Sequence, residues 1–180
     1  MMANFPDKNV LRFAEGSRTS RWLLDNASKI AKIEAEIFVV AIGCNDIRYR
    51  DSQICAMTAA EFISNLDRLV STIKETNPTA SFAFVAPWRS LHFDANFNVP
   101  SQSERMKIYN EYTLALSDFC HQYGYLFLDP NPFIFKNMLS PNIRLSEGND
   151  ILKDFIHPNA YTGIAAYSNA VVQCSQTRNK

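Results

Sequence analysis

Apolar positions along the chain follow two rhythms. Residues 37–42, IFVVAI, form an unbroken apolar run rich in β-branched side chains. Such a run predicts a strand buried on both faces, as in the middle of a parallel sheet. Residues 81–86, SFAFVA, and 125–128, YLFL, are shorter runs of the same kind, and residues 9–14, NVLRFA, are a further strand candidate. Between these runs the apolar positions recur at helical spacing. Trp22, Leu23, Ala27, Ile30 and Ala31 mark one side of a helix from Thr19 or Ser20 to Lys32. Thr58 and Glu61 have capping-box spacing and open a second helix, with Phe62, Leu66, Leu69, Val70 and Ile73 on one face and Asn77-Pro78 as its stop. Ser101 and Glu104 repeat the signal ahead of Tyr109, Tyr112, Leu116 and Phe119, and Gly124 ends that helix. A short helix over residues 132–139 and a last one from Pro158 or Asn159 to Cys174 complete the pattern.

Strand and helix therefore alternate through the chain, which predicts one α/β domain over residues 1–180, with a parallel sheet and helices on both faces. Composition fits: the 180 residues are 47% hydrophobic and 20% charged, ordinary for a soluble globular protein. Eighteen basic and eighteen acidic residues cancel, so no electrostatic argument favours nucleic acid or an anionic membrane as partner. No apolar run approaches a membrane span, and the opening residues lack the form of a signal peptide. Cys44, Cys55, Cys120 and Cys174 lack C-x-x-C spacing and read as thiols in a reducing, cytoplasmic compartment. Nothing has zinc-site spacing and no glycine-rich phosphate loop occurs, so neither metal nor cofactor is expected.

Open parallel sheets place ligand chemistry just past the carboxyl ends of their strands. The apolar run at 37–42 ends there in Gly43-Cys44-Asn45-Asp46. Gly43 permits a sharp turn, Asn45 stands at the strand tip, and Asp46 is expected to hold the loop by local hydrogen bonds. Far downstream, Asp154 and His157 lie three apart before the last helix. A carboxylate on one imidazole nitrogen fixes the tautomer and leaves the other nitrogen as a base. Trp88, His92, Phe93 and Phe97 stand in a long loop where rings either stack on a sugar or pin the loop to the body. Cys44 reads as small filler, and His121 as a favourable charge at a helix C-terminus.

The combination of G-x-N-D at a strand end with D-x-x-H before the final helix resembles the third and fifth signature blocks of the SGNH hydrolases, the GDSL lipase/esterase superfamily. Gly16 fits the second block, a glycine one helix and one strand ahead of the asparagine. The resemblance implies a three-layer α/β/α, flavodoxin-like fold and a cofactor-free serine esterase. It makes His157 the base, Asp154 its orienting partner, and Gly16 and Asn45 oxyanion donors. An acyl ester, carbohydrate acetyl esters included, is the implied substrate.

One block departs from the pattern. The family's Gly-Asp-Ser, with its strand, belongs ahead of Gly16, and residues 1–8 hold no such strand. Three readings stay open: the serine lies upstream of this sequence, the chain is an inactive relative, or Ser17 has taken over within Glu15-Gly16-Ser17. Against Ser17, its separation from Asn45 leaves no room for an intervening second block, and a serine after glycine is ordinary at a helix start. The alternative function is a non-catalytic domain that binds a glycan or protein. A homodimer or a strand-donating partner would compensate for a missing strand.

Overall fold

Three parallel strands carry the computed structural model, which describes residues 9–47, 57–87 and 102–134 together with Asn169. They are β1 (Ile37–Ala41), β2 (Ser81–Val85) and β3 (Leu126–Leu128), hydrogen-bonded in the order β1-β2-β3. Ile37 pairs with Ser81 and Ala41 with Val85, while Ala83 pairs with Leu126 and Val85 with Leu128. All three carboxyl ends are thus level at one edge of the sheet. The α/β class with a parallel sheet is the one the alternation predicts.

The crossovers are α4 (Ala59–Thr76) between β1 and β2, and α5 (Gln102–Tyr123) between β2 and β3. α4 begins where its capping box requires. The Glu61 N–H donates to Thr58 Oγ1 at 3.2 Å, and the Thr58 N–H donates to Glu61 Oε2 at 2.8 Å. It ends before Asn77-Pro78, and Asn77 Nδ2 donates to the Ala35 carbonyl at 2.8 Å, tying this end to the approach to β1. Phe62, Leu66, Leu69, Val70 and Ile73 are all buried, as their spacing predicts. α5 stops at Gly124, whose φ of +70° is a left-handed conformation that glycine adopts without strain.

The sequence upstream of β1 folds as two pieces, α1 (Ser20–Asp25) and α2 (Ala27–Ile30), interrupted at Asn26. Both pack on α4, and Ala27, Ile30, Phe62, Phe84, Tyr112 and Phe119 belong to one core beneath one face of the sheet. Truncating a buried ring such as Phe62 or Phe84 costs about 3–5 kcal/mol. The other face carries Ala83, Val85 and Leu128. α6 (Asn131–Ile134) begins where a short helix is expected, and the last expected helix lies outside the described residues except for Asn169, which is helical.

Two expectations are corrected. β1 is not buried on both faces. Phe38 and Val40 pack on the core, but Ile37 and Val39 are 59% and 49% exposed. Among the described residues β1 pairs with β2 alone, at one end of the three described strands. Residues 9–14 form no strand: they are irregular, with Leu11 and Phe13 exposed. A strand needs a ladder partner for its N–H and C=O groups, and no described strand pairs with this segment.

Gly43 closes the tip of β1 against the tip of β2. Its φ is +118°, and a Cβ built there would stand 2.6 Å from Pro87 Cγ and 3.3 Å from the Phe62 ring. Strain and overcrowding add, so Gly43→Ala should destabilise the fold by roughly 2–4 kcal/mol. Urea unfolding should show a lower midpoint at unchanged slope; an unchanged midpoint would refute this account of the turn.

Candidate active site

Past the level carboxyl ends of the strands, polar groups meet. β2 runs into Ala86-Pro87, and β3 into Asp129-Pro130-Asn131. Asn131 is fully buried, and its Nδ2 donates to the Pro87 carbonyl at 3.0 Å and to Asp129 Oδ1 at 2.7 Å, fastening these two exits together. β1 leads through Gly43 into a single helical turn, α3 (Cys44–Ile47), closed by the Ile47 N–H on the Gly43 carbonyl at 3.1 Å.

The exit of β1 is fastened to the segment around Gly16. Asn45 Nδ2 donates to the Arg18 carbonyl at 3.0 Å. Asp46 is fully buried, and its carboxylate accepts the Ser20 N–H at 2.9 and 3.1 Å and the Ser20 hydroxyl at 2.5 Å. Asp46 therefore holds a loop, as expected, and the segment it reaches lies twenty-six residues away. It also does the work of a helix cap: Thr19, in the N-cap position of α1, makes no side-chain cap bond, and the orphan N–H of Ser20 goes to Asp46 instead.

A second layer supports this tie. Asn65 of α4 donates through Nδ2 to Ser20 Oγ at 3.0 Å and lies 3.1 Å from Met57 Sδ, which is also 3.3 Å from Ser20 Oγ. A hydroxyl has one proton, and the short, charge-assisted bond to Asp46 claims it over the thioether. Ser20, Asn65 and Met57 carry no recognised motif. One signal was there: Asn65 is a polar residue inside the apolar stripe of α4, where a buried side chain must find a hydrogen-bond partner.

Burial is the larger influence on Asp46 and raises its pKa above the ordinary carboxylate value; the Ser20 hydroxyl and N–H bonds pull in the opposite direction.

Gly16 and Ser17 form the exposed turn of the partner segment. Ser17 has φ +60°, a left-handed conformation uncommon for a residue with a side chain. Among the described residues, a Cβ at Gly16 would meet nothing within 4 Å. Arg18 is ion-paired to Glu15 and lies 5.8 Å from the Trp22 ring centroid, and the Phe13 ring packs against the same Trp22 ring with centroids 5.3 Å apart. Of the expected site residues, Asn45 is tied to Arg18, which directly follows Gly16 and Ser17 in the chain. Asp154 and His157 lie outside the described residues, as do Trp88, His92, Phe93 and Phe97. Cys44 is half-buried in α3, and His121 is exposed in the last turn of α5, where a basic side chain complements the helix carbonyls. Among the described residues no three His, Cys, Asp or Glu side chains converge on a metal site, and no helix is long and apolar enough to cross a membrane.

The model of the GDSL-like lipase/acylhydrolase family matches residues 3–162. Solved structures share the fold. A variant of an acetylxylan esterase from Geobacillus stearothermophilus is 18% identical, with a TM-score of 0.68 over 94% of this chain and 76% of that one. A candidate GDSL-like lipase from Parabacteroides merdae is 14% identical, with a TM-score of 0.68 over 89% and 69%. A candidate acylhydrolase from Bacteroides fragilis is 15% identical, with a TM-score of 0.66 over 91% and 72%. No curated protein matches the sequence.

The raised Asp46 pKa has a consequence for stability. Between the unfolded carboxylate value of about 4 and the higher folded value, the native state binds more protons than the unfolded one, so stability falls as pH rises through that window. Asp46→Asn removes this dependence. Urea unfolding of both proteins from pH 4 upward should show wild type losing ground to the variant as pH rises; a constant difference would contradict the assignment.

Proposed function

Because the chain belongs to the GDSL-like lipase/acylhydrolase family, we propose that it hydrolyses acyl esters, with an oxyanion cradle built from the Gly16–Ser17 backbone and the Asn45 side chain. The observation that carries this reading is the Asn45 hydrogen bond to the Arg18 carbonyl. An amide nitrogen has two protons. With one spent on Arg18, the direction of the other is set beside the turn at Gly16. Donors held in place before charge develops are what an oxyanion hole requires. No described residue crowds Gly16, which is in keeping with an ester oxygen approaching the backbone there.

His157 is the proposed base and Asp154 its orienting carboxylate, on the strength of their D-x-x-H spacing and the family match. Within the described residues the serine standing at the cradle is Ser17, exposed on a left-handed turn. Hydrolases of other architecture also present a serine on a sharp, strained turn. The other sources are a serine upstream of this sequence or a strand from a second polypeptide, for which the side of β1 that no described strand pairs offers a ladder. Acetylated carbohydrate is the proposed substrate class, in keeping with the acetylxylan esterase among the structural neighbours.

A second reading has its own observation. Gly-Asp-Ser occurs nowhere in the 180 residues. A domain that keeps the cradle without that nucleophile would bind a glycan or protein and hydrolyse nothing.

Turnover of p-nitrophenyl acetate and of acetylated xylo-oligosaccharide separates the two. The esterase reading expects hydrolysis by wild type, none by His157→Ala, and a loss in kcat of about 10²–10³ for Asn45→Ala. A folded wild-type sample without turnover on either substrate would favour the binding domain.

A further inference from the structure

The segment at Gly16 and the turn at Gly43 are joined at two points in series. Asn45 bonds the Arg18 carbonyl, and two residues on, Ser20 bonds Asp46. The first joint is part-buried and the second fully buried. A half-exposed carbonyl is held in place only as firmly as the chain that follows it. Here that chain is fixed at Ser20, whose N–H and hydroxyl both end on one carboxylate. Asn65 reaches Ser20 Oγ from α4, an eighteen-residue helix packed against α1. The path from the rigid core to the site is thus Asn65, Ser20, Asp46 and then its neighbour Asn45.

We propose that Ser20, Asp46 and Asn65 are positioning residues that aim the Asn45 amide by fixing the Arg18 carbonyl against which it rests. The proposal depends on the reading of Asn45 as an oxyanion donor. None of the three would touch substrate: Ser20 and Asp46 are fully buried and Asn65 nearly so. Their effect passes through the direction of one N–H, and small misplacements of a catalytic group are costly in rate.

The experiment uses the full chain labelled with ¹⁵N. The Asn45 side-chain amide pair is assigned by its disappearance in Asn45→Ala, and its hydrogen exchange is followed in wild type, Ser20→Ala and Asn65→Ala. Ser20→Ala should lose about fivefold in Asn45 protection, the equivalent of one net hydrogen bond, and Asn65→Ala should lose less, in the same direction. With p-nitrophenyl acetate, Ser20→Ala should lower kcat about tenfold and leave KM unchanged. Introduced into Asn45→Ala, the same substitution should change kcat by less than about twofold, because the group it positions is gone. Unchanged Asn45 protection in a folded Ser20→Ala protein overturns the proposal. So does a full tenfold loss in the Asn45→Ala background. If Ser20→Ala does not fold, Asn65→Ala carries the same test, since it removes the bond to Ser20 Oγ and the contact with Met57 while leaving Ser20 and Asp46 in place. If wild type turns over no ester, the hydrolase reading fails while the exchange measurement still decides the positioning.

Discussion

A carboxylate removed from water must be surrounded by donors or give up its charge. Asp46 is such a group, and it lies directly after the residue that ends up at the proposed cradle. Its donors include the N–H and hydroxyl of Ser20. Satisfying it requires the start of α1 to come to the tip of β1, although a helical segment and a whole strand separate them in sequence. That one requirement brings the segment that follows Gly16 and Ser17 to Asn45. It also caps a helix whose own N-cap residue does not do so.

The sheet supplies the platform. Its register makes the three carboxyl ends level, so each strand delivers its exit loop to the same edge. Gly43 lets the exit of β1 lie against Pro87 and Phe62 where a side chain would not fit. Asn131 fastens the exits of β2 and β3 in the same manner as Asp46 fastens that of β1. Buried side chains with fixed partners hold this edge, and the exposed turn at Gly16–Ser17 rests on them.

Much of this was legible in the sequence. The capping box at Thr58, the stop at Asn77-Pro78, the apolar stripe of α4, the glycine stops and the turn after residues 37–42 are local signals, and local chemistry decides them. What was not legible depends on neighbours. A run such as IFVVAI predicts burial on both faces because its side chains are apolar, but the exposure of Ile37 and Val39 is set by which elements cover the sheet. Residues 9–14 have strand composition and no described ladder partner. Asp46 was read as a local turn residue, because nothing in the sequence says that its donors come from Ser20. Asn65 was the available clue, a polar side chain at an apolar position. The D-x-x-H pair was legible as spacing alone.

The central proposal is that this chain hydrolyses esters by itself, with Ser17 as nucleophile beside Gly16 and Asn45 and His157 as base. Fluorophosphonate labelling of the purified chain, with the modified residue mapped by mass spectrometry, tests it most directly. The account predicts label on Ser17 that is lost in His157→Ala. A folded sample that takes no label, or takes it regardless of His157, would contradict it.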